Sequence, residues 1–506
     1  MKLDAFPLTP NHKVNRKALP EPTSFIATSE EYVAPSTESE NIICSVAQEI
    51  LKVDKIGIDD DLFNYSADSL SIIQMQTLLI PYNMKFKTQD FYQLRTVRLL
   101  AELVDNENST VEVTEEPELY KLNELVEKHG NTINVSKKTK EHGYLLSGIT
   151  GYLGIHLLHE LLETTDAKIY CPIREKDNAT VDYRLASNWN NYFPNEKYDE
   201  KRVTLIKCDL TKPNFDLPSN ELKELGRKVT AVINCAANVK YYGDYKKHEL
   251  INVTAVKNLI DFCIRFNIHL YQISTMGVSG NYLVKQFAPN TLFTENDFYI
   301  GQNYKENVYI HSKFEAEKAI LLAKAKGLNY NILRIGNLTA RYSDGKFQKN
   351  VEDNAFNNIL RFIARDEILP KDMMNQTLEF TPVDLCAKAI ILLTFLENIN
   401  YKTFNIYNEH VLPIESFLKM LRNDGIEVKI LDSNTFNNKI IELAQDNEAK
   451  ASLKAIVNDL DNKKGLAFMP SVIPDNNITN KYLNGLSFKW PEITYEYIKK
   501  ILSSIK

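Results

Sequence analysis

Hydrophobic and polar positions alternate in a regular way along the chain from residue 143 onward. Short apolar runs, typical of strands buried on both faces, are separated by amphipathic stretches such as YLGIHLLHELLE. The runs are GYLLSG, KIYCPIR, RVTLIKCDL, VTAVINCAA, HLYQIST and YNILRIG. Strands that alternate with helices predict an α/β fold, a doubly wound parallel sheet built from right-handed βαβ units. In such sheets, ligands bind at the carboxyl ends of the strands.

The pattern upstream is different and predicts a small helical unit over residues 36–104. STESENIICSVAQEILKV has apolar residues at helical spacing behind a serine cap, and TVRLLAELV predicts the last helix. Between them, Ser69–Leu79 predicts a helix that Pro81 stops. The prolines before residue 36 indicate a linker, and the acidic segment 105–118 indicates a domain boundary.

Length and composition indicate a soluble protein of several domains. The 506 residues are too many for one ordinary core, so roughly two to four domains are expected. A net charge of −6 argues against nucleic acid or an anionic membrane as the main partner. The six cysteines show no metal-ligand spacing, and neither the N-terminus nor AIILLTFL fits a signal peptide or a membrane span. We therefore expect a cytoplasmic protein without a metal site.

A glycine-rich turn follows the first predicted strand. Gly148, Gly151 and Gly154 in SGITGYLG stand between that strand and a predicted helix. Glycines at this place permit a tight turn and let the backbone approach a pyrophosphate at the helix N-terminus. The context favours dinucleotide binding over an ordinary strand–helix turn.

The end of the second predicted strand indicates which dinucleotide binds. An NAD site places Asp or Glu there for the ribose 2′-hydroxyl, whereas CPIRE has Arg174, whose guanidinium suits a 2′-phosphate. Arg184 is a second candidate for that phosphate, and an ordinary surface arginine is the equal alternative. Glu175, next to Arg174, argues in the other direction. The expected cofactor is NADPH.

A tyrosine and a lysine four residues apart form the next constellation. In NVYIHSKFEAEK, Tyr309 and Lys313 lie on one face of a predicted helix. A nearby lysine charge favours the phenolate of a tyrosine and can also donate to a nicotinamide ribose. Thr275, at the end of a predicted strand in YQISTMGVSG, offers a hydroxyl to a substrate carbonyl. His311, between the two, is interpreted as a surface or packing histidine.

The stretch LFNYSADSLSII places Ser69 at a predicted helix start. A nucleophilic serine needs a base and an oxyanion hole, and the local sequence has no G-x-S-x-G elbow and no nearby histidine. Taken alone, the stretch therefore favours a helix N-cap for Ser69.

Together these motifs resemble those of an extended short-chain dehydrogenase/reductase: SGITGYLG, INCAANV, QISTMG, YIHSK and RIGNLTA. More narrowly, they resemble the thioester reductase domain that ends some nonribosomal peptide synthetases and carboxylic acid reductases. Upstream, YVAPSTESE, LFNYSADSL and LRTVRLLAEL resemble a peptidyl carrier domain. PLTPNHKVNRKALP resembles the closing motif of an adenylation domain, with Lys13 at its lysine, which would act only with the rest of that domain.

The resemblance implies a small helical-bundle carrier domain followed by a Rossmann-like reductase domain. The segments are 1–31 for the adenylation tail and linker, 32–106 for the carrier, 107–140 for a linker and 141–506 for the reductase. The Rossmann core of the reductase would end near residue 340, and the rest would form a smaller, mostly helical substrate domain over the cofactor. Asp384, in EFTPVDLCAKAIILL, is expected to be structural.

For Ser69, the resemblance implies a role that the local residues do not suggest. In carrier domains the serine of the D-S-L motif is where a separate transferase attaches 4′-phosphopantetheine from coenzyme A, and the thiol of that arm carries the acyl chain. Asp68, Ser69 and Leu70 match the motif, whereas Ser66 and Ala67 stand where carriers commonly have glycine. Helix capping would be a secondary role of Ser69.

For the reductase domain, the resemblance implies NADPH-dependent release of the thioester as an aldehyde. Thr275 and Tyr309 would donate to the developing oxyanion, and Lys313 would tune Tyr309 and hold the ribose. Cofactor contacts are expected from Gly148, Thr150, Gly151, Tyr152, Leu153, Gly154, Arg174, Arg184, Asp209, Leu210, Ala236, Ala237 and Lys313. The expected partners are upstream adenylation and condensation domains, a phosphopantetheinyl transferase and the acyl or peptidyl thioester.

Three alternatives share the fold. An epimerase or dehydratase on nucleotide sugars commonly retains NAD, and Arg174 and the fused carrier argue against it. A release domain that cyclises its product by carbon–carbon condensation would lose the tyrosine, and Tyr309 is present. A module that only binds is disfavoured by the intact set of Thr275, Tyr309 and Lys313. The identity of the acyl chain, further reduction to an alcohol and the oligomeric state stay open.

Overall fold

The computed structural model describes most of the chain and groups it into two units. The described residues are 32–84, 86–106, 116–130, 132–137, 142–174, 181–280, 283, 291–305, 307–351, 354–444, 460–461, 465–466 and 472–505. The first unit holds the described residues up to 84 together with 94–106. The second unit holds 86–93 and the described residues from 116 onward.

The first unit is helical, as the sequence predicts. Its helices are α1 (Glu38–Leu51), α2 (Ser69–Leu79) and, later in the chain, α4 (Val97–Asp105), with a 3₁₀ turn at Leu62–Tyr65. The N-cap of α1 is Thr37 and not a serine, because Thr37 and Glu40 form a reciprocal capping box. Helix α3 (Thr88–Leu94) was not predicted, and its residues up to 93 group with the second unit. Apolar side chains on the facing sides of α1, α2 and α4 form the core: Ile43, Ala47, Ile72, Ile73, Met75, Leu79 and Leu100.

A seven-stranded parallel sheet forms the centre of the second unit and confirms the predicted fold class. Its strands are β1 (Gly143–Ser147), β2 (Lys168–Ile173), β3 (Val203–Lys207), β4 (Ala231–Asn234), β5 (His269–Thr275), β7 (Tyr330–Ile335) and β12 (Thr403–Ile406). The order is β12-β7-β5-β4-β1-β2-β3, and every neighbouring pair is parallel. Six of these strands were predicted. The seventh, β12, is a short run far along the chain, with no glycine turn to mark it.

Helices cover both faces of the sheet, because the strands carry apolar residues on both sides. Successive β1 residues belong to different cores, since Tyr144 and Leu146 pack on one face and Leu145 on the other. The first face is covered by α6 (Tyr152–Thr164), α7 (Val181–Tyr192) and α13 (Val383–Thr394). The second face is covered by α8 (Ser219–Lys228), α10 (Ala255–Phe266) and α11 (Val308–Ala323).

The remaining elements are short or lie toward the C-terminus. The helices are α5 (Pro117–Lys121), α9 (Tyr245–His248), α12 (Ala355–Asp366), α14 (Ile414–Asn423), α15 (Ser433–Ala444) and two more at Asn477–Gly485 and Tyr495–Ile505. Ten short strands form five pairs: β6 (Thr291–Phe293) with β17 (Val472–Pro474), β8 (Leu338–Thr339) with β11 (Thr381–Pro382), β9 (Ile368–Pro370) with β14 (Lys429–Leu431), β10 (Thr377–Leu378) with β13 (Leu412–Pro413) and β15 (Leu460–Asp461) with β16 (Gly465–Leu466).

The chain after residue 340 contributes to the central sheet as well as to the helical part that was expected there. Besides helices, it supplies β12 to the edge of the central sheet and α13 to one of its faces. The expected structural role of Asp384 agrees with its contacts, because its carboxylate accepts hydrogen bonds from the backbone N–H groups of Tyr342 and Ser343. Among the described residues, no helix is long and apolar enough to span a bilayer. The same residues contain no group of three or more His, Cys, Asp or Glu side chains that could hold a metal ion.

Candidate functional site

Ser69 is the first residue of α2, and the cap of that helix is its neighbour. The Asp68 carboxylate accepts the backbone N–H of Ser71 at 2.8 Å, and the Ser71 hydroxyl oxygen accepts the N–H of Asp68 at 2.8 Å. This reciprocal pair is the usual way to satisfy free N–H groups at a helix start. Asp68 therefore caps α2, while the side chain of Ser69 lies outside the described part of the structure.

The turn before Ser69 has a backbone conformation that favours glycine. Ser66 ends the 3₁₀ turn Leu62–Tyr65 with a φ of 65°, in the left-handed region. A side chain at such a position costs about 1 kcal/mol, which glycine avoids. Serine at this position therefore carries a conformational cost.

The glycine-rich turn is closed in a way that leaves no room for side chains. Gly148 has a φ of 77°, and a Cβ there would lie 2.7 Å from the carbonyl carbon of Cys235. A Cβ on Gly154 would lie 2.0 Å from the carbonyl oxygen of Gly148. Gly151 is the exposed N-cap of α6, so its end of the helix is open to an anion. These features fit the pyrophosphate of a dinucleotide.

The side chains of the other residues in this turn either pack in the core or form hydrogen bonds within the protein. Leu153 is only 5% exposed and belongs to the hydrophobic core. The Tyr152 hydroxyl donates to the backbone carbonyls of Thr339 and Lys346, at 3.0 and 3.2 Å. The side chains of Tyr152 and Leu153 therefore pack within the fold, and their predicted contact with a cofactor stays a prediction. Thr150 accepts a hydrogen bond from Arg184 at 3.4 Å.

Arg174 and Arg184 are brought together at the end of β2. Arg174 is exposed directly after the strand, and its carbonyl oxygen accepts a hydrogen bond from Nη1 of Arg184 at 2.5 Å. Arg184 lies on α7 and also reaches Thr150, so it connects the strand end to the glycine turn. The Arg184 guanidinium therefore lies at the strand end from which the Arg174 side chain also starts, and two guanidinium groups suit a 2′-phosphate. Glu175 lies outside the described residues.

Asp209, Leu210, Ala236 and Ala237 follow the ends of β3 and β4. The Asp209 carboxylate accepts the N–H and hydroxyl of Thr211, at 3.0 and 2.8 Å, and the Leu210 carbonyl accepts the Asn258 amide at 2.8 Å. Ala236 and Ala237 are half-buried, and the N–H of Ala236 donates to Ser147 at 3.0 Å. These residues shape the strand ends, and Asp209 is committed to its own turn.

Thr275 and Tyr309 meet at the carboxyl end of β5. Thr275 is the last residue of that strand, and its hydroxyl oxygen accepts the N–H of Gly277 at 3.1 Å. Tyr309 lies in the first turn of α11, and its phenol hydrogen-bonds the Thr275 side chain. Both side chains are half-buried, so each keeps some exposure to a ligand. Burial raises the pKa of the Tyr309 phenol well above its usual value, despite the contact with Thr275.

Lys313 lies one turn after Tyr309 on the same helix. Its side chain is buried, and its ammonium donates to the carbonyl of Ile273 at 2.9 Å. Burial lowers the pKa of Lys313 to about 8, while the neighbouring Cys235 and Glu317 act in the other direction. The predicted tuning of Tyr309 by this lysine stays a prediction.

A buried ion pair that the sequence reading missed ties α11 to the sheet. Arg334 on β7 and Glu317 on α11 are both 1% exposed and bond at 2.8 Å, and the Ser274 hydroxyl donates to Glu317 at 2.5 Å. Ser274 precedes Thr275, so this pair and Lys313 hold the helix to two adjacent strand residues. The available indication was an arginine inside the apolar run YNILRIG, since buried charges require partners.

A π-helix and a tyrosine complete the surroundings of Tyr309 and were also missed. The π-helix spans Glu249–Thr254, and its Asn252 accepts from the Asn238 N–H at 2.7 Å and donates to Ser312 at 2.8 Å. Asn252 thereby holds the loop after β4 against α11. The ring of Tyr241, on that loop, lies 5.7 Å from the ring of Tyr309. Neither the π-helix nor the position of Tyr241 is indicated by a residue spacing in the sequence.

His311, expected to be a surface or packing histidine, stacks on Tyr245 with ring centroids 4.4 Å apart. Burial lowers the pKa of its imidazole to about 4, so the ring is neutral near pH 7. This contact agrees with a packing role.

Two protein families match the two parts of the chain. Residues 41–104 match the family described as phosphopantetheine attachment site, and residues 146–390 match the NAD-binding family described as male sterility protein. A solved thiolation-reductase di-domain from an archaeal non-ribosomal peptide synthetase is similar over 94% of this chain and 98% of its own, with 28% identity and a TM-score of 0.79.

Curated relatives are longer proteins. The chain is 25% identical, over 99% of its length, to a part of a linear gramicidin synthase polypeptide of Brevibacillus parabrevis, of which it covers 10%. It is 24% identical, over 88% of its length, to the large subunit of L-2-aminoadipate reductase of Eremothecium gossypii, of which it covers 35%. The chain thus spans between a tenth and about a third of these relatives.

Proposed function

We propose that this chain, which joins a member of the phosphopantetheine attachment family to a member of the male sterility NAD-binding family, is a carrier and thioester reductase module of a nonribosomal peptide synthetase. It would carry an acyl or peptidyl thioester and release it reductively as an aldehyde. The observation that carries this proposal is the likeness to a thiolation-reductase di-domain over nearly the whole chain. The relatives in which both parts occur together do not favour an epimerase or a condensing release domain.

The proposed carrier covers residues 32–106, and the proposed reductase covers residues 141–506, with a linker between them. Residues 1–31, including Lys13, lie outside the described residues, and their resemblance to an adenylation-domain tail is the basis for assigning them as one. The upstream adenylation and condensation domains and a phosphopantetheinyl transferase are the partners that this arrangement requires. Because the carrier and the reductase share a chain, the local concentration of thioester would be on the order of millimolar.

Ser69 is the proposed attachment site of the phosphopantetheine arm. It stands at the first position of α2 within the D-S-L motif, and Asp68 and Ser71 already cap that helix. A serine that the helix does not need for capping is suited to modification. The arm would carry the acyl group as a thioester on its terminal thiol.

The cofactor proposed for the reductase is NADPH. Gly148, Gly151 and Gly154 would hold its pyrophosphate, and Lys313 would donate to its ribose. Arg174 and Arg184 support a 2′-phosphate and therefore NADPH over NADH. When bound, a nicotinamide supplies the hydride for reduction of a carbonyl carbon.

Tyr309 and Thr275 are proposed to act on the carbonyl oxygen of the thioester. Because burial favours the neutral phenol, Tyr309 keeps its proton near neutral pH and can give it to the oxygen as negative charge develops there. The Thr275 hydroxyl, which lies beside the Tyr309 phenol, would turn its one proton toward the same oxygen when the thioester is bound. Lys313 fixes the face of α11 by bonding Ile273 and presents a positive charge beneath the site. Loss of the pantetheine thiol from the resulting hemithioacetal then gives the aldehyde.

The test is to load Ser69 with an aminoacyl-pantetheine arm and to follow NADPH oxidation while trapping the released product. Multiple turnovers on supplied thioester, with an aldehyde or alcohol as product, are expected. Ser69→Ala is expected to lose release of tethered acyl groups and to keep reduction of free acyl-pantetheine. Release of a carboxylic acid with no NADPH oxidation would contradict the proposal.

A further inference from the structure

The carboxylate of Glu379 lies at the carboxyl end of β7, one strand away from Thr275. Its Oε2 accepts the backbone N–H of Asn337 at 2.6 Å. A Cβ on Gly336 would lie 2.5 Å from that same oxygen, so the carboxylate approaches the strand end only because residue 336 is glycine. In the register of the sheet, Ile335 stands opposite Thr275. Glu379 therefore borders the strand end that continues from the proposed catalytic residues.

A small hydrogen-bond network connects Glu379 to three chain segments. The Thr381 hydroxyl donates to Oε1 of Glu379 and accepts the N–H of Asn408 at 3.0 Å. The N–H of Thr381 donates to the Asn337 carbonyl at 3.0 Å, and the N–H of Gly336 donates to Ile406 at 3.0 Å. The ends of β7, β11 and β12 are thereby joined. The hydroxyl and the N–H that reach the carboxylate both donate to it, which is the arrangement an ionised carboxylate needs.

No positive charge faces this carboxylate among the described residues. The titratable groups around it are Cys386 on α13, Tyr407 after β12 and Tyr497 near the C-terminus, and burial raises the pKa of all three, so they are neutral near pH 7. Burial accordingly raises the pKa of Glu379 to about 7, against the pull of its two hydrogen bonds. Protonation would turn one acceptor oxygen into a donor and oppose the network.

We infer that Glu379 is a positioning residue, whose ionised carboxylate holds the Gly336–Asn337 turn in place on the acyl side of the cleft. Gly336 is half-buried and Asn337 is exposed, so this turn can touch an acyl chain that is bound at Thr275 and Tyr309. The inference rests on the proposed function and names the part of the fold that orients the acyl group. It also predicts that the ordering of this turn weakens as pH falls through 7.

Glu295 offers a matched control. It is a buried glutamate whose pKa is also raised by burial, to about 6, and it accepts the N–H and hydroxyl of a threonine, Thr479, at 2.7 and 2.8 Å. Thr479 in turn bonds the backbone of Asn405, in the middle of β12 and not at its end. Replacement of Glu by Gln at either position removes the charge and keeps the side-chain volume, and of the two residues only Glu379 bonds a strand end beside Thr275.

The experiment compares Glu379→Gln, Glu295→Gln and Thr381→Val in the full chain. The kcat and KM for an acyl-pantetheine thioester are measured from pH 6 to pH 9 at saturating NADPH, and NADPH affinity is measured by fluorescence. Glu379→Gln is expected to lower kcat about tenfold, as misplacement of a reacting group does, and to remove the fall in kcat below pH 7. Thr381→Val is expected to reduce kcat in the same direction, and Glu295→Gln to leave both kcat and the pH profile unchanged.

The outcomes separate the inference from the proposed function. If the wild-type protein turns over and Glu379→Gln has the same kcat and the same pH profile, the inference is overturned and the proposed function stands. Equal loss of kcat in Glu379→Gln and Glu295→Gln, with both pH profiles intact, also overturns it, because the role would then be structural. Absence of wild-type turnover on any thioester overturns the proposed function and the inference with it. Unchanged NADPH affinity in each variant shows that the fold is intact.

Discussion

The two halves of the carboxyl edge of the sheet are built in different ways. The half at the ends of β1 and β2, proposed to bind the nucleotide, has Gly148, Gly151 and Gly154 within seven residues. Close backbone contacts define its shape. On the acyl side, at the ends of β7 and β12, Gly336, Glu379 and Asn408 come together through side-chain hydrogen bonds from distant parts of the chain. Local spacing encodes the first half, and only tertiary packing assembles the second.

This difference fits the ligands that we propose for the two halves. A pyrophosphate has a fixed shape and charge, and backbone N–H groups at a helix start are enough to bind it. Acyl chains vary in shape, which suits a side built from segments that can change independently. Thr275 and Tyr309 lie at the end of β5, between the two halves.

The largest expected effect is a loss of turnover when Tyr309 is substituted. Tyr309→Phe removes the proton donor and should reduce kcat by about 10²- to 10⁴-fold, because general acid catalysis contributes that much. NADPH affinity should change little, since the phenol is not expected to hold the cofactor. Tyr304→Phe is the matched control, because it removes a phenol that bonds Glu116 near the start of the same helix. Comparable losses in both variants would place the effect in folding and not in chemistry.

A substitution in the glycine turn should disrupt the site proposed for the dinucleotide. In Gly154→Ala, the added methyl group would meet the Gly148 carbonyl oxygen at 2.0 Å, and backbone cannot move aside as a side chain can. We expect a loss of about 3 kcal/mol in the free energy of unfolding, together with loss of NADPH binding. Gly130→Ala, where the nearest atom is 3.9 Å away, serves as the control. Wild-type stability and NADPH affinity in Gly154→Ala would show that the turn is not closed as described.

Two buried histidines make the fold sensitive to acid. Burial lowers the pKa of His156 on α6, and of His129 beside β12, to about 4 in each case. Since the unfolded chain takes up these protons near pH 6.5, stability is complete above that pH and is lost as pH falls toward 4. Each histidine should contribute on the order of 3 kcal/mol to this loss.

Urea unfolding between pH 7.5 and pH 4.5 measures this effect. His156→Phe keeps an aromatic ring among Tyr152, Tyr192 and Phe193 and should flatten the pH dependence. His142→Phe, at an exposed position, should leave it as it is. The same slope in His156→Phe as in the wild type would contradict the assignment.

The smallest expected effect concerns the choice of dinucleotide. Arg184→Ala should weaken NADPH binding about tenfold, which corresponds to loss of one exposed charge-assisted contact, and should leave NADH binding unchanged. Arg227→Ala, an exposed arginine on α8, is the control. An equal decrease for both dinucleotides would show that Arg184 supports the turn through Thr150 and does not read the 2′-phosphate.

The sequence predicted most of the central sheet and missed its edge strand β12, for physical reasons. Six of the seven strands are short, mostly apolar runs, and the helix from Ser69 to Leu79 is closely followed by a proline, so they could be predicted from the residues. The strand β12 was missed because it is only four residues long and its neighbours along the chain carry no turn motif. Glu379 was missed because its environment depends on Gly336, some forty residues away.

Some site residues have partners that the sequence did not indicate. Tyr152 and Leu153 stand in the glycine motif, and the Tyr152 hydroxyl donates to backbone carbonyls while Leu153 is buried in the core. Lys313 was expected to tune Tyr309 and to hold a ribose, and its ammonium also donates to the backbone of β5. A sequence motif shows which residues are close, whereas hydrogen-bond partners depend on the packing around them.

The most direct measurement of the account is to follow the hydride. The chain, loaded on Ser69 with an acyl-pantetheine arm, is mixed with NADPH deuterated at the nicotinamide C4, using each of the two stereochemical labels in turn. The account predicts that one label appears as a single deuterium on the former thioester carbon of the trapped aldehyde, and that Tyr309→Phe abolishes its transfer. Release of an unlabelled acid or cyclic product with both labels, while NADPH is unchanged, would contradict reductive release.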